Sequence, residues 1–260
     1  METKMLKDRV ALVTGAGRGI GRGTALKFAE NGAKVVLAGR HMETLESVKE
    51  EIEKINEEAF CVSADVTDEQ DVKNMVQSAL KHFGRIDILV NNAGMSREMP
   101  FLEMPVDIFD QIMITNFRSV TLVTRAVLPL MIAQKFGRIV NVGSGAAVRG
   151  LPGSTAYAAS KAAVCNFTQA LGDEIRKKMT DEAPADKKYE AGNYIRINAV
   201  CPGPVDTEMF QKSERREFIL AAGGDVISTE TMANAILFCA SELSKGMNSQ
   251  ILIQRGFNRW

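Results

Sequence analysis

Val10-Ala-Leu-Val-Thr-Gly-Ala-Gly-Arg-Gly-Ile-Gly21 is the stretch that decides the fold. A short β-branched run, Val10 to Val13, passes directly into a glycine-rich turn, and the turn opens a helix running through Ala25, Phe28 and Ala29. Glycines let a backbone turn tightly and approach a pyrophosphate, while the helix N-terminus offers free N–H groups and the positive end of its dipole. An ordinary strand-to-helix turn is the competing use, and a standard mononucleotide P-loop is excluded because no Gly-Lys-Ser/Thr follows. Working outward, six more short apolar runs recur: Lys34–Leu37, Phe60–Val62, Ile86–Val90, Arg138–Val142, Ile195–Val200 and Gln250–Ile253. Helical patterns separate them. Continuous apolar strands alternating with helices predict a doubly wound α/β fold, a parallel sheet covered by helices on both faces. Ligands then bind beyond the carboxyl ends of the strands.

The chain has 260 residues and 45% hydrophobic content, enough to bury the core of one domain spanning residues 1–260. Lysine plus arginine equals aspartate plus glutamate at 32 each, so no global field recruits nucleic acid or an anionic membrane. Cys61, Cys165, Cys201 and Cys239 show no Cys-x-x-Cys spacing, and each lies in an apolar stretch where a buried, reduced thiol is the ordinary reading. With no apolar leader and no membrane-spanning run, the expectation is a soluble, cytoplasmic protein. His41 and His82 are the only histidines, and neither joins a ligand cluster, so no metal is expected. Met179 to Asn193 is polar and charged, contains Pro184 and Gly192, and predicts an exposed loop on the sheet edge opposite the ligand crevice.

The second strand ends Leu37-Ala-Gly-Arg40, where an NAD-specific protein usually places an acid against the ribose 2′-hydroxyl. Gly39 removes that carboxylate, and Arg40 with Arg18 can make charge-assisted contacts to a 2′-phosphate, so NADP(H) is expected over NAD(H). A solvated surface group is the alternative reading of either arginine. Asp65 closes the third strand, where its carboxylate can accept from an adenine amino group; Thr67 or Asp68 suits the following helix N-cap better. Asn91-Asn92-Ala93-Gly94 closes the fourth with small and amide-bearing residues that suit a backbone beside a cofactor, or a plain turn.

Tyr157 and Lys161, four apart on a helix, share one face. A tyrosine with a pKa of about 10 is a poor acid/base group near neutrality, and a neighbouring ammonium lowers that value. Ile112, Asn116, Val120 and Val123 form a helical stripe that sets an amide on an otherwise apolar face, and a buried amide needs partners.

Thr14-Gly15-x-x-x-Gly19-x-Gly21, Asn91-Asn-Ala-Gly94, Ser144, Tyr157-x-x-x-Lys161 and Pro202-Gly203, in this order, resemble the short-chain dehydrogenase/reductase family over nearly the whole length. The resemblance implies an oxidoreductase interconverting a ketone and a secondary alcohol. Tyr157 would donate or accept the proton, Ser144 would hydrogen-bond the substrate oxygen, and Lys161 would lower the Tyr157 pKa and hold the nicotinamide ribose. Asn116 would be the fourth member, holding a water that connects the lysine to solvent; a purely structural hydrogen bond is the alternative. The cofactor would touch Thr14, Gly15, Arg18, Gly19, Ile20, Gly21, Arg40, Asp65, Val66, Asn92, Ala93, Gly94, Tyr157 and Lys161. It would also meet Pro202, Gly203, Val205 and Thr207, the last facing the carboxamide. Family members are usually homotetramers or homodimers built partly from the helices of Asn116 and Tyr157. Lys245 to Gly256 departs from the family by lacking its Thr-Gly and Asp-Gly-Gly elements.

Substrate choice is expected from residues 96–105, 146–155 and 209–226. Met99, Phe101, Met104, Leu151, Pro152, Met209, Phe210, Phe218, Ile219 and Leu220 suggest an apolar pocket for a bulky ketone such as a hydroxysteroid. The alternatives are a 3-oxoacyl carrier-protein reductase, weakened by Asp173 where such enzymes tend to carry a basic residue, and a non-catalytic dinucleotide-binding regulator.

Overall fold

A computed structural model describes residues 4–55, 57–213, 216–221 and 224–254. In chain order the elements are β1 (Val10–Thr14), α1 (Gly19–Glu30), β2 (Lys34–Gly39), α2 (Met42–Glu53), β3 (Ala59–Ser63), α3 (Glu69–Phe83), β4 (Ile88–Asn91), α4 (Val106–Met113), α5 (Ser119–Gln134) and β5 (Gly137–Val142). The chain continues through α6 (Thr155–Asp181), α7 (Lys188–Ala191), β6 (Ile195–Pro202), α8 (Glu208–Gln211), α9 (Arg216–Ala221), α10 (Thr229–Ala240) and β7 (Ile251–Gln254). All seven strands are parallel and lie in the order β3-β2-β1-β4-β5-β6-β7. Every strand the sequence predicts is present. Because the order reverses between β1 and β4, the crevice opens where Thr14 and Asn91 end their strands.

The pleat sends alternate residues to opposite faces. Ala11 and Val13 of β1 join one buried layer with Phe28 of α1, Leu45 of α2 and Ile236 of α10. Val10 and Leu12 join the other, with Met75 of α3, Val127 of α5 and Ile175 of α6. Burial on both faces is why these strands are continuously apolar. Local signals agree: Asp68 caps α3 by accepting from the Asp71 N–H at 2.8 Å, and Gly84 ends it in the left-handed region at φ 77°.

One expectation needs correction. Residues 179–193 are not simply an exposed loop. Ion pairs Lys177–Asp181 and Lys178–Glu182 carry α6 through Asp181, Met179 is buried, and Lys188–Ala191 form α7 with Ala191 buried. The segment still enters β6 at the edge opposite the crevice.

The atypical tail is tied down differently from a glycine turn. Ser249 sits at φ 61°, and its hydroxyl donates to Asp173 Oδ1 at 2.9 Å. Asn248 accepts from the Ile197 N–H at 2.8 Å and donates to the Gly172 carbonyl at 2.7 Å. Arg255 and Gly256 lie outside the described residues.

Candidate active site

The first wall of the crevice is stitched together by Thr14. Its hydroxyl donates to the Val90 carbonyl at 3.2 Å and accepts from the Asn92 and Ala93 N–H groups at 3.0 and 3.2 Å. The Asn92 amide returns to the Thr14 and Gly15 carbonyls at 2.9 and 3.2 Å. Gly15 and Gly19 take φ of 64° and 55°, backbone that side chains rarely adopt. A Cβ on Gly21 would press into the Gly15 carbonyl and lie 2.5 Å from the Asn92 amide nitrogen. At the N-cap of α1, Arg18 makes no side-chain capping bond and no acid lies in the first turn, so the helix-end N–H groups face the crevice without a carboxylate competitor. This cradle fits a dinucleotide pyrophosphate.

At the adenosine end, Gly39 brings no acid and Arg40 is exposed. Arg18 is engaged elsewhere, donating to Glu208 Oε2 of α8 at 2.6 Å. Burial pushes the Asp65 carboxyl up, but hydrogen bonds from Thr67 and the charge of Arg40 hold it below its usual value overall. Both Thr67 groups donate to Asp65 Oδ1, at 2.9 Å from N–H and 2.7 Å from the hydroxyl. Val66 and Val205 are buried, in opposite core layers, and Ile20 packs against the layer that holds Val205. Gly203 donates its N–H to the Gln254 carbonyl at 2.7 Å, which pins the Pro202-Gly203 turn to β7. Thr207 packs on Gly19 and caps α8 by accepting from the Phe210 N–H at 3.3 Å.

The candidate reacting groups gather at the end of β5 and the start of α6. Ser144 follows β5 in extended backbone and accepts from the Ala146 N–H at 3.1 Å, and its hydroxyl lies near enough to the Tyr157 phenol to pull that group's pKa down. Lys161 is buried and donates to the Val142 carbonyl at 2.7 Å, with Nζ 5.9 Å from the Tyr157 ring centre. The sequence argument expects Lys161 to depress the Tyr157 pKa. Here burial pushes the phenol up, and the opposing pull comes from Ser144. The physical reason is that Nζ points to the β5 carbonyl, and burial pushes Lys161 itself down to about 8.

Asn116 lies in a single π-helical turn, Ile114–Arg118, between α4 and α5. Such wide turns recur at functional sites. Its amide oxygen accepts from the Met95 N–H at 2.8 Å, and its nitrogen donates to the Met95 carbonyl at 2.9 Å and to Ser160 Oγ at 3.0 Å. Ser160 in turn donates to the Tyr157 carbonyl at 2.7 Å. The side chain therefore ties the loop after β4 to the helix of Tyr157. A Cβ on Gly94 would meet Asn116 Oδ1 at 3.1 Å and Lys161 Nζ at 3.5 Å, so the Gly94 backbone passes close beside the lysine.

Sequence reasoning missed three features. Ser160 gives no signal apart from its place in the Tyr-x-x-x-Lys turn. The Asn91 amide donates to Asn141 Oδ1 at 2.8 Å and to Thr124 at 3.0 Å, and Asn141 donates to Thr168 at 2.9 Å, a polar ladder beneath the site. Cys165 and Cys201 lie with sulfurs 3.4 Å apart.

Of the expected apolar pocket, Phe101, Leu151, Met209 and Leu220 are exposed around the crevice. Met104 is instead buried, packing with Ile112, Ala156 and Met99 in a small core of its own. The Met99 N–H donates to the Gly153 carbonyl at 2.9 Å, joining two of the three segments, and Ser213 donates to Glu98 at 2.8 Å, joining the third. A cleft of about 230 Å³ is lined by Phe210, Leu220 and Val226 but also by Asp206, Gln211 and Arg216. The Phe218 side chain lies outside the described residues. No helix among the described residues is long and apolar enough to cross a membrane.

The family described as short chain dehydrogenase matches residues 9–217, and a second, described as Enoyl-(Acyl carrier protein) reductase, matches residues 188–257. A 3-oxoacyl-[acyl-carrier-protein] reductase of Thermotoga maritima is 37% identical over 251 residues, covering 95% of this chain and 96% of that protein. A 2-(R)-hydroxypropyl-CoM dehydrogenase of Xanthobacter autotrophicus is 36% identical, covering 96% and 98%. The crystal structure of a short-chain type dehydrogenase/reductase from Mycobacterium marinum superposes with a TM-score of 0.88 at 30% identity, covering 98% and 97%. These matches overturn the reading as a non-catalytic regulator. With a dinucleotide cradle at the β1/β4 switch point and Ser144, Tyr157 and Lys161 gathered beside it, the chain belongs to the short-chain dehydrogenase/reductase family of NAD(P)-dependent oxidoreductases acting on alcohol and ketone groups.

Proposed function

We propose that the protein is an NADP(H)-dependent reductase that converts a ketone to a secondary alcohol. The observation that carries the direction is the half-buried Tyr157 phenol, kept protonated at neutral pH by its desolvation and set beside Ser144. A protonated phenol is a proton donor to a carbonyl oxygen, and Ser144 steadies the negative charge that develops there. The nicotinamide, when bound, supplies the hydride. Lys161 replaces the proton from below, its depressed value placing proton exchange near the working pH. Asn116 acts at one remove, holding Met95 and Ser160 so that Tyr157 and the loop beside Lys161 keep their spacing. Preference for the 2′-phosphate rests on Arg40 and on the absence of an acid at Gly39.

The substrate class best supported is a 3-oxoacyl thioester, since the Thermotoga relative reduces such a group on a carrier protein. Arg216 and Gln211 in the cleft suit the polar part of such a substrate, and Phe210 and Leu220 its acyl chain. Asp173 remains an argument against a carrier protein as donor, because an exposed carboxylate, accepting from Ser249 and paired with Arg176, stands where a basic docking group is needed. A bulky apolar ketone of hydroxysteroid type is the second reading, favoured by the exposed Phe101, Leu151 and Met209. Assembly as a homotetramer or homodimer through α5 and α6 accompanies both. NADPH and NADH oxidation measured side by side on an acetoacetyl thioester and a ketosteroid tests the assignment. Faster thioester turnover with NADPH is expected; turnover of neither substrate, or equal use of NADH, would overturn it.

A further inference from the structure

Cys165 and Cys201 are 36 residues apart in sequence, yet α6 and β6 bring their sulfurs to 3.4 Å directly beneath the catalytic turn. Cys165 lies one helical turn after Lys161, and Cys201 is the penultimate residue of β6. Gly143, just before Ser144, leaves the space they occupy: a Cβ there would overlap Cys201 Sγ and lie 3.2 Å from Cys165 Sγ. The Ser144 N–H points at the Cys201 sulfur, so that sulfur is an acceptor holding the catalytic serine's backbone.

We propose that Cys165 and Cys201 form a redox modification site that a hydroperoxide closes to a disulfide, switching the active site off. The Cys201 thiolate attacks the peroxide O–O bond, giving a sulfenic acid and releasing water after protonation of the leaving hydroxide. The Cys165 thiol then attacks that sulfur and expels a second water, so two electrons pass from the thiols to the peroxide and two protons go with them. Cys201 is the attacking sulfur because the Ser144 N–H and the Lys161 ammonium beside it favour its thiolate. Burial pushes Cys61 and Cys239 up to about 12. Bonding brings the sulfurs to about 2.05 Å. That closure drags the turn after Lys161 toward β6 and removes the acceptor of the Ser144 N–H. Burial of both thiols makes the reaction depend on local opening of the crevice, hence slow compared with an exposed cysteine.

Treating the full-length protein with hydrogen peroxide, then mapping peptides without reduction, tests this. The expected result is a peptide pair linking Cys165 to Cys201 and lighter by two hydrogens. Ketone reduction and reduced-dinucleotide affinity, read by fluorescence, should fall at least about tenfold in step with the link, and dithiothreitol should restore both. Cys165→Ala should keep basal activity and resist peroxide, with Cys165→Ser as the second variant should alanine unfold. A link absent while Cys61 oxidises, or a link formed with dinucleotide affinity unchanged, would overturn the proposal.

Discussion

Replacing Lys161 by methionine should stabilise the protein at pH 7 while destroying its activity. Lys161 is 5% exposed, and burial brings it from the ordinary 10.5 to about 8. At about 1.36 kcal/mol per tenfold, holding it charged at pH 7 costs about 3 kcal/mol. Methionine keeps the apolar stem but loses the bond to the Val142 carbonyl, worth about 1–2 kcal/mol. The net gain is about 1–2 kcal/mol, a rise in Tm of about 2–8 °C for a chain of this size. The sign with pH follows from linkage. The folded value lies below the unfolded one, so between pH 8 and 10.5 the unfolded chain holds more protons, and wild-type stability rises with pH through that window. Lys161→Met lacks this rise, and its advantage should shrink steadily above pH 8 and vanish or reverse by about pH 10.5. Thermal unfolding of both proteins at pH 7, 9 and 10.5 reads the difference, in which titrating groups remote from Lys161 cancel. An advantage independent of pH, or a variant less stable at pH 7, would refute the reasoning.

Arg40→Asp should lower the ratio of NADPH to NADH in kcat/KM by about 10–100-fold, the loss of a charge-assisted contact worth about 1.5–3 kcal/mol; competing steady-state assays read it. Gly21→Ala puts a methyl into the Gly15 carbonyl and should cost about 2 kcal/mol or more in denaturant unfolding, with dinucleotide binding lost. Asn116→Ala leaves the Met95 N–H without its partner and should cost about 2–3 kcal/mol, lowering kcat more than it raises KM.

Much of this was legible because the signals are contiguous or lie on one face. The glycine loop, the seven apolar strands and the Tyr157–Lys161 pair are local patterns whose geometry follows from one strand, one turn or one helix. What escaped depends on pieces that meet only after folding. The Val142 carbonyl captures Lys161, so the lysine acts less directly on Tyr157 than i, i+4 spacing implies. Arg18 is held by Glu208, 190 residues away, and Met104 supports a small core rather than a pocket wall. Polar composition concealed helix from 179 to 181 and from 188 to 191, because the apolar side chains that anchor it, Met179 and Ala191, are isolated in sequence. The cysteine pair has no sequence signature at all, since β6 and α6 alone bring it together.

The central claim is that Tyr157 delivers the proton to the substrate carbonyl. Single-turnover oxidation of NADPH on an acetoacetyl thioester, by wild type and by Tyr157→Phe at matched cofactor saturation, tests it most directly. The account predicts a rate lower by about 10²–10⁴-fold with cofactor affinity unchanged; a Tyr157→Phe rate within a few-fold of wild type would contradict it.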